Sequence, residues 1–105
     1  MIALCIRYKF NPDKLADVTR YFEDEQCVIE RCGGRIVGYF LPTDFAGATD
    51  EAIGLIDIPS LAAYENYRKA LAGDPEHKEN IARLTNSGAQ AAMNRSFMRR
   101  VEPRR

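Results

Sequence analysis

The sequence predicts an α+β fold, a ferredoxin-like βαββαβ sandwich with four antiparallel strands covered by helices on one face. Three observations carry this prediction. The first segment alternates apolar and polar residues with the period of two that is typical of a strand. Proline and glycine divide the rest of the chain into segments of strand or helix length. The resulting order is strand, helix, strand, strand, a helix in two pieces, and strand.

The first strand is IALCIRYKF, and one of its faces carries Ile2, Leu4, Ile6, Tyr8 and Phe10. In the sequence NPDK that follows, Asn11 is the predicted N-cap and Pro12 the first helical residue. This first helix is predicted to run to about Cys32 and to end at Gly33 and Gly34, because glycine accepts the left-handed conformation found at helix ends. Its predicted buried stripe consists of Leu15, Val18, Phe22 and Ile29, widened by Tyr21 and Val28.

The second and third strands are RIVGYFLP and EAIGLIDI, which are stopped by Pro42 and Pro59 and joined by the loop TDFAGATD. Ser60 caps the next helix, and Gly73 ends it. The sequence DPE then repeats the start signal, with Asp74 as the cap of a third helix that ends at NSG. AQAAM is a short connector, and NRSFMRRVE is the predicted last strand.

The apolar residues of the second and third strands predict a homodimer. When helices cover one face of an antiparallel sheet, the other face is expected to be polar. These two strands instead carry apolar residues on both faces, and an exposed apolar face of that size is rare on a monomer. We therefore expect two subunits to pack their sheets face to face around a two-fold axis.

Length and composition limit the class of protein. The 105 residues suit one domain, so residues 1–105 are expected to form a single unit. The chain has 15 basic and 15 acidic residues, and a neutral chain has no general attraction for nucleic acid or membrane lipid. No apolar run reaches about 18 residues, and the N-terminus lacks the features of a signal peptide. We expect a cytoplasmic protein whose cysteines stay reduced.

Three segments resemble the NIPSNAP family, namely GGRIVGYFLPT, IDIPSLAAYENYRKALAGDPE and RSFMRRVEP. The resemblance covers nearly the whole chain. It implies a dimeric α/β-barrel, in agreement with the dimer expected from the strands. Relatives by fold include cofactor-free antibiotic-biosynthesis monooxygenases and haem-degrading monooxygenases. NIPSNAP proteins have no settled catalytic residues, so the resemblance implies no site motif, and the site must be argued from the residues themselves.

The helix LAAYENYRKAL carries two polar candidates on one face, which at helical spacing holds Leu61, Tyr64, Arg68 and Leu71. If this face borders a cleft between helices and sheet, Tyr64 would transfer a proton and Arg68 would hold an anionic substrate, with Arg7 of the first strand as a second anchor. In the alternative, Tyr64 packs its ring and Arg68 lays its stem on the core and reaches water. Tyr67 is expected to pack.

His77, the only histidine, lies on the apolar side of the third helix, within its first turn. It is either a neutral proton-transfer group or a partly buried residue without a catalytic role. The haem-degrading relatives use an asparagine, a tryptophan and a histidine, whereas this chain offers Arg7, Tyr64 or Tyr67, and His77, and has no tryptophan. We expect no cofactor and no metal, because a single histidine excludes sites built from several imidazoles.

Two further residues have mainly structural interpretations. Asp57 lies near the end of the third strand among apolar neighbours, where a buried carboxylate needs a partner such as Arg7, Arg68 or Arg95. Cys5 lies on the same face of the first strand as Arg7 and is expected to be part of the core.

These observations leave two functions open. The first is the binding of a small anionic or aromatic molecule in a cleft between sheet and helices, by a cofactor-independent monooxygenase-like enzyme with Tyr64 and His77 as catalytic residues and Arg68 and Arg7 as substrate-binding residues. The second is a non-catalytic dimeric module that binds a partner or ligand. A haem-degrading monooxygenase is the third and weakest interpretation.

Overall fold

The computed structural model describes residues 1–104. Within these residues the chain forms four strands and three α-helices in the predicted order, namely β1 (Ile2–Lys9), α1 (Leu15–Arg31), β2 (Arg35–Phe40), β3 (Glu51–Ile58), α2 (Leu61–Gly73), α3 (Pro75–Asn86) and β4 (Ala92–Met98). A single 3₁₀ turn, Pro12–Lys14, lies between β1 and α1.

The four strands form one antiparallel sheet in the order β2-β3-β1-β4. Because side chains alternate along a strand, the pairing register divides the sheet into two faces. The face that packs under the helices carries Leu4, Ile6, Tyr8, Ile36, Tyr39, Gly54, Ile56, Ile58, Met93, Arg95 and Phe97. The opposite face, here called the outer face, carries Cys5, Arg7, Lys9, Phe40, Ile53, Leu55, Asp57, Asn94 and Met98.

Most predicted helix ends are confirmed by their hydrogen bonds. Ser60 Oγ accepts from the backbone N–H of Ala63 at 3.1 Å, and Gly33 ends α1 with a φ of 108°. The first helix begins later than predicted. Asn11 does cap the chain after β1, but it caps the 3₁₀ turn, and α1 begins only at Leu15.

The last strand is displaced from its predicted position by its pairing with β1. β4 begins at Ala92, opposite Lys9, and ends at Met98, opposite Ala3. Beyond Met98 the chain has passed the start of β1 and has no further strand to pair with. The following segment instead brings Arg100 to the outer face, where its guanidinium donates to both oxygens of Asp57 at 2.9 and 3.1 Å. The partner of Asp57 is therefore Arg100, and the sequence-based choice of Arg7, Arg68 or Arg95 is wrong.

The core lies between the sheet and the helices, and it includes Leu4, Val18, Val28, Ile56 and Ile58, all of which are almost completely buried. The outer face has no helix over it. Phe40 is 54% exposed and Met98 is 46% exposed, so the apolar outer face expected from the sequence is present on the single chain.

Candidate functional site

Four tyrosines that lie between the sheet and the helices come from four different elements. They are Tyr8 of β1, Tyr21 of α1, Tyr39 of β2 and Tyr67 of α2. The ring of Phe22 lies between two of them, with its centroid 4.9 Å from that of Tyr8 and 4.8 Å from that of Tyr39. The hydroxyls of Tyr8 and Tyr39 are 3.5 Å apart. Together these residues form an aromatic interior, here called the tyrosine cluster.

The four hydroxyls of the tyrosine cluster remain protonated at physiological pH. Burial raises the pKa of Tyr8, Tyr21 and Tyr39 well above the usual tyrosine value, and it raises the pKa of Tyr67 to about 12. The Glu25 carboxylate adds to the increase in the pKa of Tyr21 and Tyr67. These tyrosines can therefore donate hydrogen bonds to a ligand, but they do not act as bases.

A buried carboxylate, Glu25, lies at the edge of the tyrosine cluster and is only 2% exposed. The Tyr21 hydroxyl donates to Glu25 Oε2 at 3.0 Å, and the Asn80 amide donates to Oε1 at 3.2 Å. His77 Nδ1 lies 2.5 Å from Oε2. Three groups from α1 and α3 thus satisfy one carboxylate, as a buried charge requires.

Glu25 is a site residue that the sequence analysis missed, although the sequence contains a signal for it. The predicted stripe of α1 passes from Phe22 directly to Ile29 and skips one helical position. Glu25 fills that gap, three residues after Phe22 and four before Ile29, so it faces the core with its neighbours on the stripe. A charged residue at a stripe position predicts a buried, paired carboxylate.

The first turn of α3 fixes the position of His77. Asp74 caps this helix, and its Oδ1 accepts from the backbone N–H groups of Glu76 and His77 at 3.0 and 3.1 Å. Arg31, the last residue of α1, donates to the same carboxylate at 2.8 Å, and this hydrogen bond is the main cause that lowers the pKa of Asp74. The cap therefore ties the start of α3 to the end of α1.

The face of α2 that borders the core is rotated relative to the prediction. Tyr67 and Leu71 are buried, Tyr64 is half-buried, and Arg68 is exposed. The Tyr64 ring packs edge-on against Phe97 of β4, with centroids 4.8 Å apart and an interplanar angle of 87°. Tyr64 thus adopts the packing alternative, and Arg68 lies on the solvent side of the helix instead of in the cleft.

The structure separates the two arginines that were predicted to anchor a substrate. Arg7 lies on the outer face, opposite Ile53 and Asn94, so the sheet stands between it and the tyrosine cluster. The arginine on the helix-facing side is Arg95, which pairs with Ile6 in the register of β4 and β1. The positive charge of Arg95 influences the tyrosine cluster. Burial raises the pKa of Tyr8 and Tyr67, and the charge of Arg95 offsets a smaller part of that increase.

A cavity of about 430 Å³ opens between α3 and the start of β4. It is lined by Ile81, Leu84, Thr85, Gln90, Ala91 and Met93. Two lining residues connect it to the buried groups described above. Met93 pairs with Tyr8 across β4 and β1, and Ile81 lies one helical turn after His77. Arg95 is beside it, with its guanidinium 3.8 Å from the sulfur of Met93.

A second cavity, of about 480 Å³, is lined by residues from both faces of the sheet, among them Arg7, Lys9 and Ile53 of the outer face and Tyr8, Ala52 and Met93 of the helix-facing side. Neither cavity is lined by Tyr64, Arg68 or His77. These two cavities therefore do not bring Tyr64, Arg68, Arg7 and His77 together.

Residues 1–104 contain no group of three or more histidine, cysteine, aspartate or glutamate side chains that could hold a metal ion. Over the same residues, no helix combines the length and the apolar character needed to cross a membrane.

The fold is shared with solved structures of low sequence identity. The chain is similar to an uncharacterised NIPSNAP domain protein from Burkholderia xenovorans, with a TM-score of 0.78, 16% identity, and coverage of 96% of this chain and 95% of that chain. It is similar to Atu4242 from Agrobacterium tumefaciens, with a TM-score of 0.80, 20% identity, and coverage of 96% and 94%. Among proteins with curated descriptions, none matches this chain.

The chain is also similar to SnoaB from Streptomyces nogalater, a cofactor-independent oxygenase, with a TM-score of 0.64, 13% identity, and coverage of 97% of this chain and 94% of that chain. This likeness confirms the predicted ferredoxin-like α+β fold, and at this identity it shows the fold alone. The family model for NIPSNAP matches residues 4–103. Since the match covers nearly the whole sequence, the chain belongs to the NIPSNAP family.

Proposed function

We propose that this NIPSNAP-family protein binds a small aromatic molecule with an anionic group and acts on it as a cofactor-independent, monooxygenase-like enzyme. The observation that carries the proposal is the position of the cavity between α3 and β4. Its apolar lining suits an aromatic ring, and its volume lies within the range of small-molecule sites. It adjoins the tyrosine cluster through Met93 and lies beside the guanidinium of Arg95.

In this proposal Arg95 takes the role that the sequence assigned to Arg68 and Arg7, because it is the helix-facing arginine beside the cavity. A guanidinium binds a carboxylate or phenolate through charge-assisted hydrogen bonds. Met93 is long and flexible, so its movement can open the cavity toward Tyr8. His77 remains the proposed proton-transfer group, and Tyr64 remains a proposed catalytic residue on α2.

The oxidative reaction needs only the substrate and dioxygen. Removal of a proton from an acidic C–H or O–H bond leaves the electron pair on the substrate. The resulting anion is electron-rich and transfers electrons to O₂. For a CH₂ group flanked by aromatic rings, CH₂ and O₂ give C=O and water, with one oxygen atom in each product. The protein's task is to bind the substrate, accept the proton and stabilise the anion.

The binding step is tested with a panel of aromatic carboxylates and the matching uncharged amides, by calorimetry and thermal shift. The wild type is expected to bind the acids and to reject the amides. Arg95→Gln is expected to lose about tenfold or more in affinity for the acids, since a charge-assisted contact is removed. Arg68→Gln is the matched control and is expected to bind like the wild type.

Equal losses in the two arginine variants, or equal binding of acids and amides, would contradict the proposed site. Consumption of O₂ by a bound compound, measured with an oxygen electrode, then separates an enzyme from a binding protein. Binding without O₂ uptake across the panel would favour the non-catalytic alternative.

That alternative, a dimeric binding module, shares one feature with the proposed enzyme, namely the exposed apolar outer face. The outer face exposes Phe40 and Met98, and it carries the half-buried Ile53 and Leu55 between them in the sheet. A second copy of the chain packing on this face would bury these residues. We propose the homodimer in both functions, because it leaves the cavity between α3 and β4 on the other side of the sheet.

A further inference from the structure

We infer that Glu25 and His77 form a carboxylate–imidazole dyad, in which Glu25 is a positioning residue and His77 Nε2 is the atom that accepts a proton from the substrate. The chemical role assigned to Nε2 rests on the proposed function. The tautomer and the reactivity of the dyad are argued from the hydrogen bonds around Glu25 and do not depend on a substrate.

The hydrogen bonds around Glu25 determine which nitrogen of His77 carries a proton. An ionised carboxylate only accepts hydrogen bonds. Tyr21 remains protonated because burial raises its pKa, and its hydroxyl donates to Oε2. With Glu25 ionised, the 2.5 Å contact between its Oε2 and His77 Nδ1 is a hydrogen bond only if Nδ1 donates. In the neutral ring, the lone pair is then on Nε2.

The second nitrogen is accessible. Every buried side-chain nitrogen or oxygen atom in residues 1–104 has a hydrogen-bond partner. Within the same residues His77 Nε2 has none, so this atom is not buried. The side chain of His77 is 19% exposed, whereas that of Glu25 is 2% exposed. Glu25 therefore cannot touch a substrate and acts through His77.

The other polar groups of the interior do not compete for the role of base. The tyrosines of the cluster stay protonated at physiological pH, since burial raises the pKa of each. Both oxygens of Glu25 are occupied by donors from Tyr21, Asn80 and His77. Nε2 of His77 is the atom of this network that keeps a free lone pair. On α3, His77 lies one helical turn before Ile81, which lines the cavity.

A purely structural role explains this arrangement poorly. Replacing a buried ionic or polar network by apolar residues of similar volume is often neutral or stabilising. Glu25 occupies a stripe position that a leucine would fill, and three partners from two helices are needed to satisfy it. The same arrangement is suited to proton transfer, because a carboxylate on Nδ1 fixes the ring orientation and stabilises the imidazolium.

In the proposed step, the bond between the acidic hydrogen and a carbon or oxygen of the substrate breaks. The proton moves to Nε2, and the electron pair stays on the substrate as an anion. The imidazolium is stabilised by Glu25, and the substrate anion is stabilised by Arg95. Charge is conserved, and the proton is available again for the oxygen atom that leaves as water.

The first test is the tautomer of His77 in the ligand-free protein. Because the chain has one histidine, long-range ¹H–¹⁵N spectra show only its two ring nitrogens. At a pH where the ring is neutral, Nδ1 is expected to be protonated and Nε2 unprotonated. Glu25→Gln is expected to shift the ring toward the Nε2–H form. Glu23→Gln changes an exposed glutamate on the same helix and is expected to leave the tautomer unchanged. A wild-type ring protonated on Nε2 would overturn the inference.

The second test measures the reactivity of Nε2, which a purely structural hydrogen bond between Glu25 and Nδ1 would not need. Diethylpyrocarbonate acylates an accessible unprotonated imidazole nitrogen, and His77→Gln sets the background. Acylation is expected to be about three- to tenfold slower in Glu25→Gln than in the wild type or Glu23→Gln, with folding verified by circular dichroism. An aromatic acid that binds in the Arg95 assay is expected to protect His77.

An unchanged rate in Glu25→Gln, or an acid that binds without protecting His77, would overturn the inference. If no acid binds, the proposed function fails. The tautomer and the acylation rates then still decide whether the dyad exists, since neither measurement needs a substrate.

Discussion

Gly54 and Tyr39 face each other across β3 and β2, and the Tyr39 ring occupies the space that a side chain at position 54 would need. A Cβ atom on Gly54 would lie 2.6 Å from Cε2 and 2.7 Å from Cζ of Tyr39. The glycine therefore lets the tyrosine lie flat over the sheet and bring its hydroxyl to 3.5 Å from that of Tyr8. One small residue on β3 thus helps to position the tyrosine cluster.

We expect Gly54→Ala to lower the free energy of unfolding by about 1–3 kcal/mol, because the added methyl group displaces the Tyr39 ring in a packed core. Urea denaturation measures the change. Gly73→Ala is the matched control, since a Cβ on Gly73 would have no atom within 4 Å, and it is expected to be neutral or slightly stabilising. Equal destabilisation by the two substitutions would contradict the close approach at Gly54.

Tyr64 and Phe97 connect α2 to β4, the edge strand beside the proposed site. A double-mutant cycle with Tyr64→Leu and Phe97→Leu is expected to give a coupling energy of about 0.5–1.5 kcal/mol, as for other edge-to-face aromatic pairs. Tyr64→Phe keeps the ring and is expected to leave stability unchanged. A coupling energy near zero would contradict the packing role of the Tyr64 ring. If Tyr64→Phe weakens the binding of an aromatic acid without a loss of stability, the Tyr64 hydroxyl is part of the ligand site.

The parts of the fold that depend on local chemistry could be predicted from the sequence. Alternation identifies β1, and Ser60, Asp74 and Gly33 mark helix ends, because caps and left-handed glycines need only neighbouring residues. The rotation of α2 could not be predicted in this way. Spacing alone places Tyr64 and Arg68 on one face, but the sheet decides that Tyr67 points inward.

In the candidate site, too, the features that depend on neighbouring residues could be predicted, and those that depend on tertiary packing could not. His77 was a candidate because it is a single histidine on an apolar face, and the structure does bury it in part. Its partner Glu25 is 52 residues away in the chain, so the pair becomes visible only when α1 and α3 pack together. Arg7 and Arg95 are both strand residues. The strand register, which no local pattern provides, decides which of them faces the helices.

The Asp74 carboxylate has two functions that substitution can separate, as cap of α3 and as partner of Arg31. Asp74→Ala removes both and is expected to lower the Tm by roughly 5 °C. Asp74→Asn keeps the cap, since asparagine caps as well as aspartate, and is expected to cause a smaller loss. Thermal denaturation followed by circular dichroism measures both. Identical Tm values for the two variants would indicate that the cap contributes nothing.

The effect of Asp74→Asn is expected to depend on pH. Arg31 lowers the pKa of Asp74, so the folded protein holds this proton less tightly than the unfolded chain. The stabilisation is therefore fully present above the ordinary aspartate value of about 4, and it is lost as the pH falls through the lowered pKa. The difference in Tm between wild type and Asp74→Asn should be constant near neutral pH and should close in acid. A difference that widens in acid would contradict this sign.

The exposed outer face leads to the last prediction, which concerns assembly. If two sheets pack together through this face, a charge placed in its apolar part must be buried without a partner, which is costly. We expect light scattering at micromolar concentration to give the mass of two chains for the wild type and of one chain for the double variant Phe40→Asp, Met98→Asp. Leu61→Asp is the control, because Leu61 is 61% exposed at the start of α2, on the helix side of the sheet. It is expected to remain dimeric, since aspartate is tolerated in the first turn of a helix.

A wild type that is monomeric under these conditions would remove the homodimer from both proposed functions. A dimer that persists in the double variant would place the interface elsewhere on the chain.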